Sequence, residues 1–293
     1  MDNGDMSTQG YILKISCPDR PGIVHAVSQF LFGKTANILD SAQFSDTFTN
    51  RFFMRVHFAK TSQDLNLGEL QAEFKAIGLQ FDMEWELFDA TAKPRVLIMV
   101  SKLGHCLNDL LFRTHSGYLP IEIAGIVSNH QDFATLAQSY QIPFHYMPLS
   151  NATDARKDDQ EEQLLKLIEK EKIDLVVLAR YMQILSTKVC EKLSGKAINI
   201  HHSFLPSFKG AKPYWQAHQR GVKLIGATAH YVTTDLDEGP IIEQGVERVD
   251  HAMNPDQLAA VGRDVECMAL SRAVRWHAEH RILLNGKSTV VFQ

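Results

Sequence analysis

Residues 11–88 consist of short segments with two different periods of apolar residues. In some segments apolar and polar positions alternate as in a strand, and in others the apolar positions recur on one face of a helix. The predicted elements are the strand Tyr11–Cys17, the helix Gly22–Phe32, the strands Ala36–Phe44 and Arg51–Ala59, the helix Leu67–Ile77 and the strand Leu79–Phe88. The order βαββαβ predicts a ferredoxin-like unit, an arrangement that many unrelated small domains share.

The pattern changes after residues 89–94, a stretch without periodicity that contains Pro94 and that we interpret as a linker. Near-continuous apolar runs then alternate with helical stretches. The apolar runs are Arg95–Val100, Ile121–Val127 and Leu175–Ala179, and the clearest helical stretches are Asp132–Tyr140 and Asp159–Glu171. Buried parallel strands have this pattern because helices cover both faces of their sheet. Residues 95–293 are therefore predicted to form an open, mostly parallel, doubly wound α/β sheet that binds its ligand beyond the carboxyl ends of the strands.

Composition and charge narrow the classes of function. The chain has 293 residues, a hydrophobic fraction of 45% and a net charge of −4, with acidic and basic residues interleaved. A nucleic-acid binder would carry a basic patch, so we expect a small-molecule ligand instead. The four cysteines have no CxxC spacing, which indicates neither a thiolate metal site nor a disulfide framework. The N terminus lacks the features of a secretory signal and no apolar run has membrane-spanning length, so we expect a cytoplasmic protein.

The strongest candidate for chemistry begins at a short predicted strand, Ala197–His201. Alternation along a strand puts Asn199 and His201 on the same face, at the carboxyl end. A carboxamide and an imidazole can donate hydrogen bonds to a developing oxyanion, and the imidazole can also move a proton near neutral pH. Asp237 follows the next strand in the polar turn Thr234–Pro240, where its carboxylate could accept a proton from water.

These residues also have ordinary structural interpretations. A histidine near a strand end is commonly a surface or hydrogen-bonded residue, and Asp237 before Gly-Pro is a common turn residue. Metal binding by His201 and His202 is not favoured, because neighbours on a strand point to opposite faces and no nearby cysteine or acid completes the ligand spacing. Serine catalysis is not favoured either, because Ser203 lacks a nucleophile-elbow context.

Three motifs in this region resemble those of a known family. The runs Asn199–Pro206, Gly226–His230 and Asp237–Ile242 are similar to motifs of the formyltransferases that use 10-formyltetrahydrofolate, and the resemblance extends over roughly residues 95–280. It implies the formyltransferase fold for the second domain.

The resemblance also implies which residues form the site. The catalytic trio of the family falls on Asn199, His201 and Asp237. The folate is expected along a loop, mainly against its backbone groups, and beside two further positions. These substrate-binding residues are Arg180, Tyr181, Met182, Gln183, Ile184, Leu185, His202 and Gly239. No metal or other cofactor is expected, because the folate is the substrate.

The segment Cys17–Val24, at the first strand-to-helix turn, resembles an ACT domain, a ferredoxin-like module that commonly senses amino acids. The resemblance implies a regulatory site at Asp19, Arg20, Pro21 and Gly22, with glycine or methionine as the expected effector. Backbone amides at a helix start that contains glycine can approach an anion, although proline and glycine also shape such starts without any ligand. ACT modules have an exposed strand edge and a helix-free sheet face, so we expect a homo-oligomer with residues 11–88 in one interface.

An ACT-like domain joined to a formyltransferase-like domain, with His202 where many transferases carry proline, resembles the hydrolytic branch of the family. The implied reaction is hydrolysis of 10-formyltetrahydrofolate to formate and tetrahydrofolate, which would balance one-carbon pools and supply formate for purine synthesis. One alternative is formyl transfer to an amine such as glycinamide ribonucleotide, but Ser101–Asn108 offers a single glycine for a phosphate loop. A second alternative is a non-catalytic amino-acid and folate sensor, against which the retained trio argues.

Overall fold

The computed structural model describes residues 10–59, 66–148, 154–205 and 213–293. Pro206, at the end of the first motif, therefore lies outside the described residues. The chain forms two compact units. The first contains the described residues up to Ala92 together with Glu279–Asn285 and Val290–Gln293, and the second contains Lys93–Ala278 and Gly286–Thr289.

The first unit is built on a four-stranded antiparallel sheet. Its elements are β1 (Tyr11–Pro18), α1 (Ile23–Gly33), β2 (Asn37–Asp46), β3 (Arg51–Ala59), α2 (Leu67–Gln80) and β4 (Glu84–Asp89), and the strand order is β2-β3-β1-β4. The apolar sides of both helices pack with one face of the sheet, through residues such as Val27 and Phe74 against Ile15 and Val56. The predicted βαββαβ order is confirmed.

The predicted strand Leu79–Phe88 is wrong at its start. The helix α2 continues to Gln80, because its buried positions keep a four-residue spacing from Leu70 through Phe74 to Gly78. Asp82 then takes a left-handed conformation, with φ of 51°, and the strand begins only at Glu84. The apolar residues after Ile77 belong to the end of a helix rather than to a strand.

The second unit contains a seven-stranded sheet and six helices among its described residues. Its elements are β5 (Arg95–Val100), α3 (His105–His115), β6 (Glu122–Ser128), α4 (Ala134–Ser139), β7 (Phe144–Tyr146), α5 (Asp154–Lys170), β8 (Leu175–Leu178), α6 (Thr187–Lys192), β9 (Ala197–His201), α7 (Pro213–Gln219), β10 (Leu224–Tyr231), β11 (Ile241–Arg248) and α8 (Pro255–Ala278). The helix predicted at Asp132–Tyr140 is shorter than expected, and the one predicted at Asp159–Glu171 begins at Asp154.

The sheet of the second unit has the order β11-β10-β9-β8-β5-β6-β7. The five strands from β7 to β9 are parallel, whereas β10 and β11 are antiparallel to their neighbours. Chain order reverses between β5 and β8, which is where open α/β sheets bind ligands. The predicted open, mostly parallel sheet is confirmed.

The end of the chain departs from the predicted range 95–293, because β12 (Ile282–Asn285) and part of the segment after it belong to the first unit. Leu283 and Phe292 pack against Phe53, and the Arg55 guanidinium donates a hydrogen bond to the carbonyl of Glu279 at 3.0 Å. More than 200 residues separate these partners along the chain, so no local pattern could have indicated the contact. A second short strand, β13 (Ser288–Val291), pairs with β12.

In the described part of the chain, no helix is both long enough and apolar enough to cross a membrane.

The return of the C terminus to the first unit can be tested with two neighbouring leucines. Leu283→Ala removes a buried side chain and should lower the free energy of unfolding by about 2–4 kcal/mol. Leu284 is exposed on the same strand, so Leu284→Ala should change it by less than about 0.5 kcal/mol. Urea unfolding of the full-length variants measures both. Equal effects would mean that Leu283 is not part of this core.

Candidate active site

Strand β9 brings two of the predicted site residues beside a third polar group. Its apolar residues Ile198 and Ile200 are buried, so Asn199 and His201 share the opposite face. In the antiparallel ladder with β10, Asn199 lies directly opposite His230. This pairing places a second imidazole beside the carboxamide.

His230 is buried and fixes the orientation of Asn199. Its Nδ1 atom lies 2.9 Å from the carbonyl oxygen of Tyr231. Because a carbonyl only accepts hydrogen bonds, Nδ1 carries the proton and Nε2 is left as an acceptor. The Asn199 Nδ2 group donates to that Nε2 atom at 3.3 Å. One amide hydrogen of Asn199 is thereby used for orientation, and the other can serve a ligand.

His201 is also buried, with a partner on each side of its ring. The Ser203 Oγ atom lies 3.0 Å from Nδ1, and Asp237 Oδ2 lies 3.4 Å from Nε2. Burial lowers the pKa of His201 below its ordinary 6.5, and the nearby Asp237 carboxylate offsets this only in part. Burial also lowers the pKa of His230. Both imidazoles are therefore neutral at pH 7.

Asp237 reaches the two imidazoles because the turn before β11 folds back on β10. The Tyr231 amide donates a hydrogen bond to the Pro240 carbonyl at 2.9 Å. A Cβ atom on Gly239 would lie 1.7 Å from the Tyr231 carbonyl oxygen, so only glycine permits this close approach. Asp237 itself takes a left-handed conformation with φ of 57°, which aspartate tolerates better than most residues.

The three residues of the predicted trio therefore lie close together. His230 belongs to the same cluster, but the sequence analysis assigned it no role. His230 is the last residue of the Gly226–His230 motif, so the sequence did contain a reason to consider it. The antiparallel register that brings His230 opposite Asn199 is a tertiary feature, which the motif does not contain.

One expectation about the adjacent histidines is wrong. His201 and His202 were expected to point to opposite faces, as neighbours on a strand do. Strand β9 ends at His201, and the two rings stack with their centroids 5.0 Å apart. His202 is thus a neighbour of the trio.

The loop Arg180–Leu185, predicted to contact folate, follows β8 and is held by Ser101 at the end of β5. The Ser101 amide donates to the Arg180 carbonyl at 3.2 Å, and Ser101 Oγ accepts from the Met182 amide at 3.0 Å. Tyr181 points inward, and burial raises its pKa to about 12. Met182 and Ile184 are exposed. The loop therefore has a fixed backbone with apolar side chains on its outer side.

The Arg180 side chain turns into the protein. It lies 3.5 Å from the buried carboxylate of Glu266, in the middle of α8. His105 Nε2 and the Tyr214 hydroxyl each lie 2.7 Å from an oxygen of the same carboxylate. Four segments of the second unit meet in this cluster of charged and polar groups.

Part of this cluster has the spacing of a metal site. Among the described residues, ligand atoms of His105, Cys106 and Glu266 lie within 4.8 Å of one another. Both Glu266 oxygens are already hydrogen-bonded, and the Arg180 cation beside them would repel a metal ion. A hydrogen bond with Cys267, together with burial, raises the pKa of Cys106 well above its ordinary value, so the thiol is not ionised. These contacts favour a hydrogen-bonded cluster over a metal centre.

The predicted regulatory residues belong to the first unit. Arg20, Pro21 and Gly22 border a surface groove of about 580 Å³ between the start of α1 and the end of α2. The Arg20 guanidinium donates to the Gln80 carbonyl at 2.5 Å and lies over the Phe81 ring, 5.1 Å from its centroid. Asp19 does not border the groove; its carboxylate accepts a hydrogen bond from Ser45.

Comparison with known proteins identifies a family and similar chains. The profile of the formyl transferase family matches residues 94–274. A Corynebacterium sp. (strain P-1) protein named formyltetrahydrofolate deformylase is 53% identical over 283 residues, which cover 97% of this chain and 98% of that protein. The crystal structure of a formyltetrahydrofolate deformylase from Burkholderia mallei ATCC 23344 has a TM-score of 0.92 at 54% identity and covers 97% of this chain and 100% of its own.

A glycinamide ribonucleotide transformylase from Symbiobacterium toebii is less similar, with a TM-score of 0.63 at 27% identity, covering 69% of this chain and 95% of its own. The chain belongs to the formyl transferase family. The Corynebacterium and Burkholderia mallei relatives, which match nearly its whole length including the first unit, carry the name formyltetrahydrofolate deformylase.

Proposed function

We propose that this chain hydrolyses 10-formyltetrahydrofolate to formate and tetrahydrofolate. The observation that carries the proposal is the proximity of the three groups of the trio. The Asp237 carboxylate lies 3.4 Å from Nε2 of the buried His201 and 4.0 Å from Nε2 of His230, to which the Asn199 amide donates. The names of relatives that are similar over the full length support it.

The reaction follows from the hydrogen-bonding capacity of each group. A water oxygen attacks the formyl carbon while Asp237 orients the water and the neutral Nε2 of His201 accepts one of its protons. The free amide hydrogen of Asn199 and the newly protonated imidazole stabilise the oxygen of the tetrahedral intermediate. The bond from carbon to N10 then breaks, N10 takes the proton from His201, and the formyl group leaves as formic acid, which ionises to formate by releasing its proton to solvent. His201 returns to its neutral form.

Ser203 orients His201 in this scheme and does not attack the substrate. Its Oγ atom contacts Nδ1, and Ser203 itself is almost completely buried. A nucleophilic serine would need an exposed Oγ atom that can reach the formyl carbon of the bound substrate. The Thr228 hydroxyl donates to the Ser203 carbonyl at 3.1 Å, which fixes the backbone that carries this contact.

The folate is proposed to lie along Arg180–Leu185, with its flat pterin ring against the backbone and the exposed Met182 and Ile184. The hydrogen bonds from Ser101 support this role, because a rigid loop loses little entropy when a ligand binds. The remaining proposed contacts are His202, stacked beside His201, and Gly239, in the turn of Asp237. The chemistry needs no metal or other cofactor.

Transfer of the formyl group to a phosphate-bearing amine is less well supported. Gly104 is the single glycine in Ser101–Asn108, and a Cβ atom there would lie 2.3 Å from the Phe133 ring, so packing accounts for the glycine. His105 follows and pairs with the buried Glu266, whose negative charge disfavours a nearby phosphate. A non-catalytic sensor would not need a neutral imidazole oriented between a carboxylate and a serine.

We also propose that the first unit binds an amino acid and joins subunits. The groove beside Arg20, Pro21 and Gly22 supports the first role, and Gly22, with φ of 96° at the start of α1, leaves the backbone accessible. Glycine or methionine is the proposed effector because their supply follows one-carbon status. The edge strand β2 exposes Ile38, Leu39 and Phe44, which supports a homo-oligomer formed through this unit.

The test of the proposed function is formate release from 10-formyltetrahydrofolate with no amine added. Asn199→Ala should lower kcat by a factor of about 10²–10³, and we expect His201→Ala and Asp237→Asn to lower it at least as much. Ser203→Ala removes one neutral hydrogen bond and should cost less than about a factor of ten. Formate release that depends on an added amine would exclude hydrolysis. Loss of activity in Ser203→Ala equal to that in His201→Ala would indicate a serine nucleophile.

The pH dependence follows from the lowered pKa of His201. The neutral imidazole is the reactive form, so protonation at low pH removes activity. Because burial lowers the pKa, the acid limb of the kcat/KM profile should lie at lower pH than an ordinary histidine would give. The measurement is a pH–rate profile with circular dichroism at each pH to verify folding. Activity that rises as the pH falls below 7 would mean that the imidazolium is the reactive form.

The regulatory proposal can be tested by filling the groove. Titration of glycine and methionine against the full-length chain should change the rate several-fold, since typical coupling is about 1–3 kcal/mol. His25 lines the groove, so His25→Trp should abolish the response while leaving the basal rate unchanged. Val24 is exposed and does not line the groove, so Val24→Trp is the matched control. A response that survives His25→Trp would place the effector elsewhere.

A further inference from the structure

Glu266 is a buried acid that the reaction scheme does not use. It lies in the middle of α8, is 1% exposed, and interacts with His105, Tyr214 and Arg180. Burial acts to raise its pKa, but the hydrogen bond from His105, the Arg180 charge and the Tyr214 hydroxyl outweigh burial and hold the pKa below its ordinary value. Glu266 is therefore a buried negative charge at neutral pH.

Arg180 and His201 lie at the carboxyl ends of two neighbouring strands. In the parallel ladder of β8 and β9, Leu178 is the last residue of β8 and pairs with Asn199. Arg180 follows Leu178 by two residues in the loop after β8, and His201 follows Asn199 by two residues at the end of β9. The guanidinium is 8% exposed, and its Nε and Nη1 atoms have no hydrogen-bond acceptor, although Nε faces Glu266 at 3.5 Å.

The backbone of Arg180 has an unusual conformation for a residue with a side chain. Its φ is 65°, in the left-handed region, which costs energy unless surrounding contacts hold it. Two contacts do so: the Ser101 amide bonds to the Arg180 carbonyl, and the side chain is drawn inward toward Glu266. This residue begins the proposed folate loop.

We propose that Arg180 and Glu266 are positioning residues, a buried ion pair that fixes the start of the loop 180–185 and sets the electrostatic environment of His201. The inference rests on the proposed function, since it assigns the pair to the same reaction. Stability alone does not account for the pair, because buried ion pairs can commonly be replaced by apolar residues of similar volume without loss of stability.

The two charges act on His201 in opposite directions. Around this imidazole lie Asp237 from the turn before β11, His230 from β10, the adjacent His202 and Ser203, Arg180 after β8 and Glu266 from α8. Apart from burial, Arg180 contributes to lowering the pKa of His201, whereas Asp237, the Ser203 backbone and Glu266 raise it. Removing one member of the pair should therefore shift the titration of His201, and removing both should largely restore it.

The experiment is an NMR titration of the His201 ring in the full-length chain, which does not depend on turnover. In Glu266→Gln the pKa of His201 should fall, and in Arg180→Met it should rise, each by roughly half a pH unit or more. The double variant should lie near the wild type. Asp109→Asn, which breaks an ion pair on α3, is the control and should leave the titration unchanged.

A purely structural role would not give shifts of opposite sign, so shifts in the same direction, or none, would overturn the proposal. If Arg180→Met does not fold, Glu266→Gln alone tests the proposal, because an unchanged or raised pKa of His201 in that variant contradicts it. Loop positioning is read from kinetics: Arg180→Lys keeps the charge, so KM for the folate should rise several-fold while the acid limb of the pH profile stays in place. A wild-type chain that releases no formate would defeat the proposed function, and the NMR result would still decide the charge effect.

Discussion

The candidate site depends on one change of strand direction in the second unit. Strand β9 is parallel to β8 on one side and antiparallel to β10 on the other. Directly opposite residues in an antiparallel pair have Cα atoms about 4.5–5.5 Å apart, close enough for their side chains to interact. This register places His230 against Asn199. Antiparallel strands can also be joined by a short connection, and the connection from β10 to β11 carries Asp237 back to the same face.

Burial around β9 favours the neutral form of both imidazoles. An imidazolium in a low-dielectric interior loses its hydration, so burial lowers the pKa of both His201 and His230. His230 cannot take a second proton without loss of the bond that it accepts from Asn199. His201 faces Asp237 and can be protonated transiently during a reaction. The two histidines thus have separate roles because the nearest partners of their Nε2 atoms differ. The Asn199 amide is nearest for His230, at 3.3 Å, and the Asp237 carboxylate is nearest for His201, at 3.4 Å.

Local patterns in the sequence predicted much of the fold and part of the site. Alternation placed Asn199 and His201 on one face of β9, and the confirmed strands Arg95–Val100 and Ala197–His201 followed from short apolar runs. Contacts between distant residues were not predictable in this way. Arg180 and Glu266 lie on different elements, and nothing in the helical pattern of α8 indicates that its one fully buried acid faces a loop after β8. The return of Leu283 to Phe53 is a contact of the same kind.

The buried charges indicate where this fold gives up stability. An apolar core would avoid the desolvation of Glu266 and Arg180, and it would not leave guanidinium donors without acceptors. The pair lies two residues past the end of β8, where Ser101 and His201 approach from the neighbouring strands. The two charges act on the pKa of His201 in opposite directions, Arg180 lowering it and Glu266 raising it. The carboxyl end of a sheet that must hold both a rigid ligand loop and a neutral histidine can use such a pair for both purposes, since the Glu266 carboxylate draws Arg180 inward and the Arg180 charge favours the neutral form of His201.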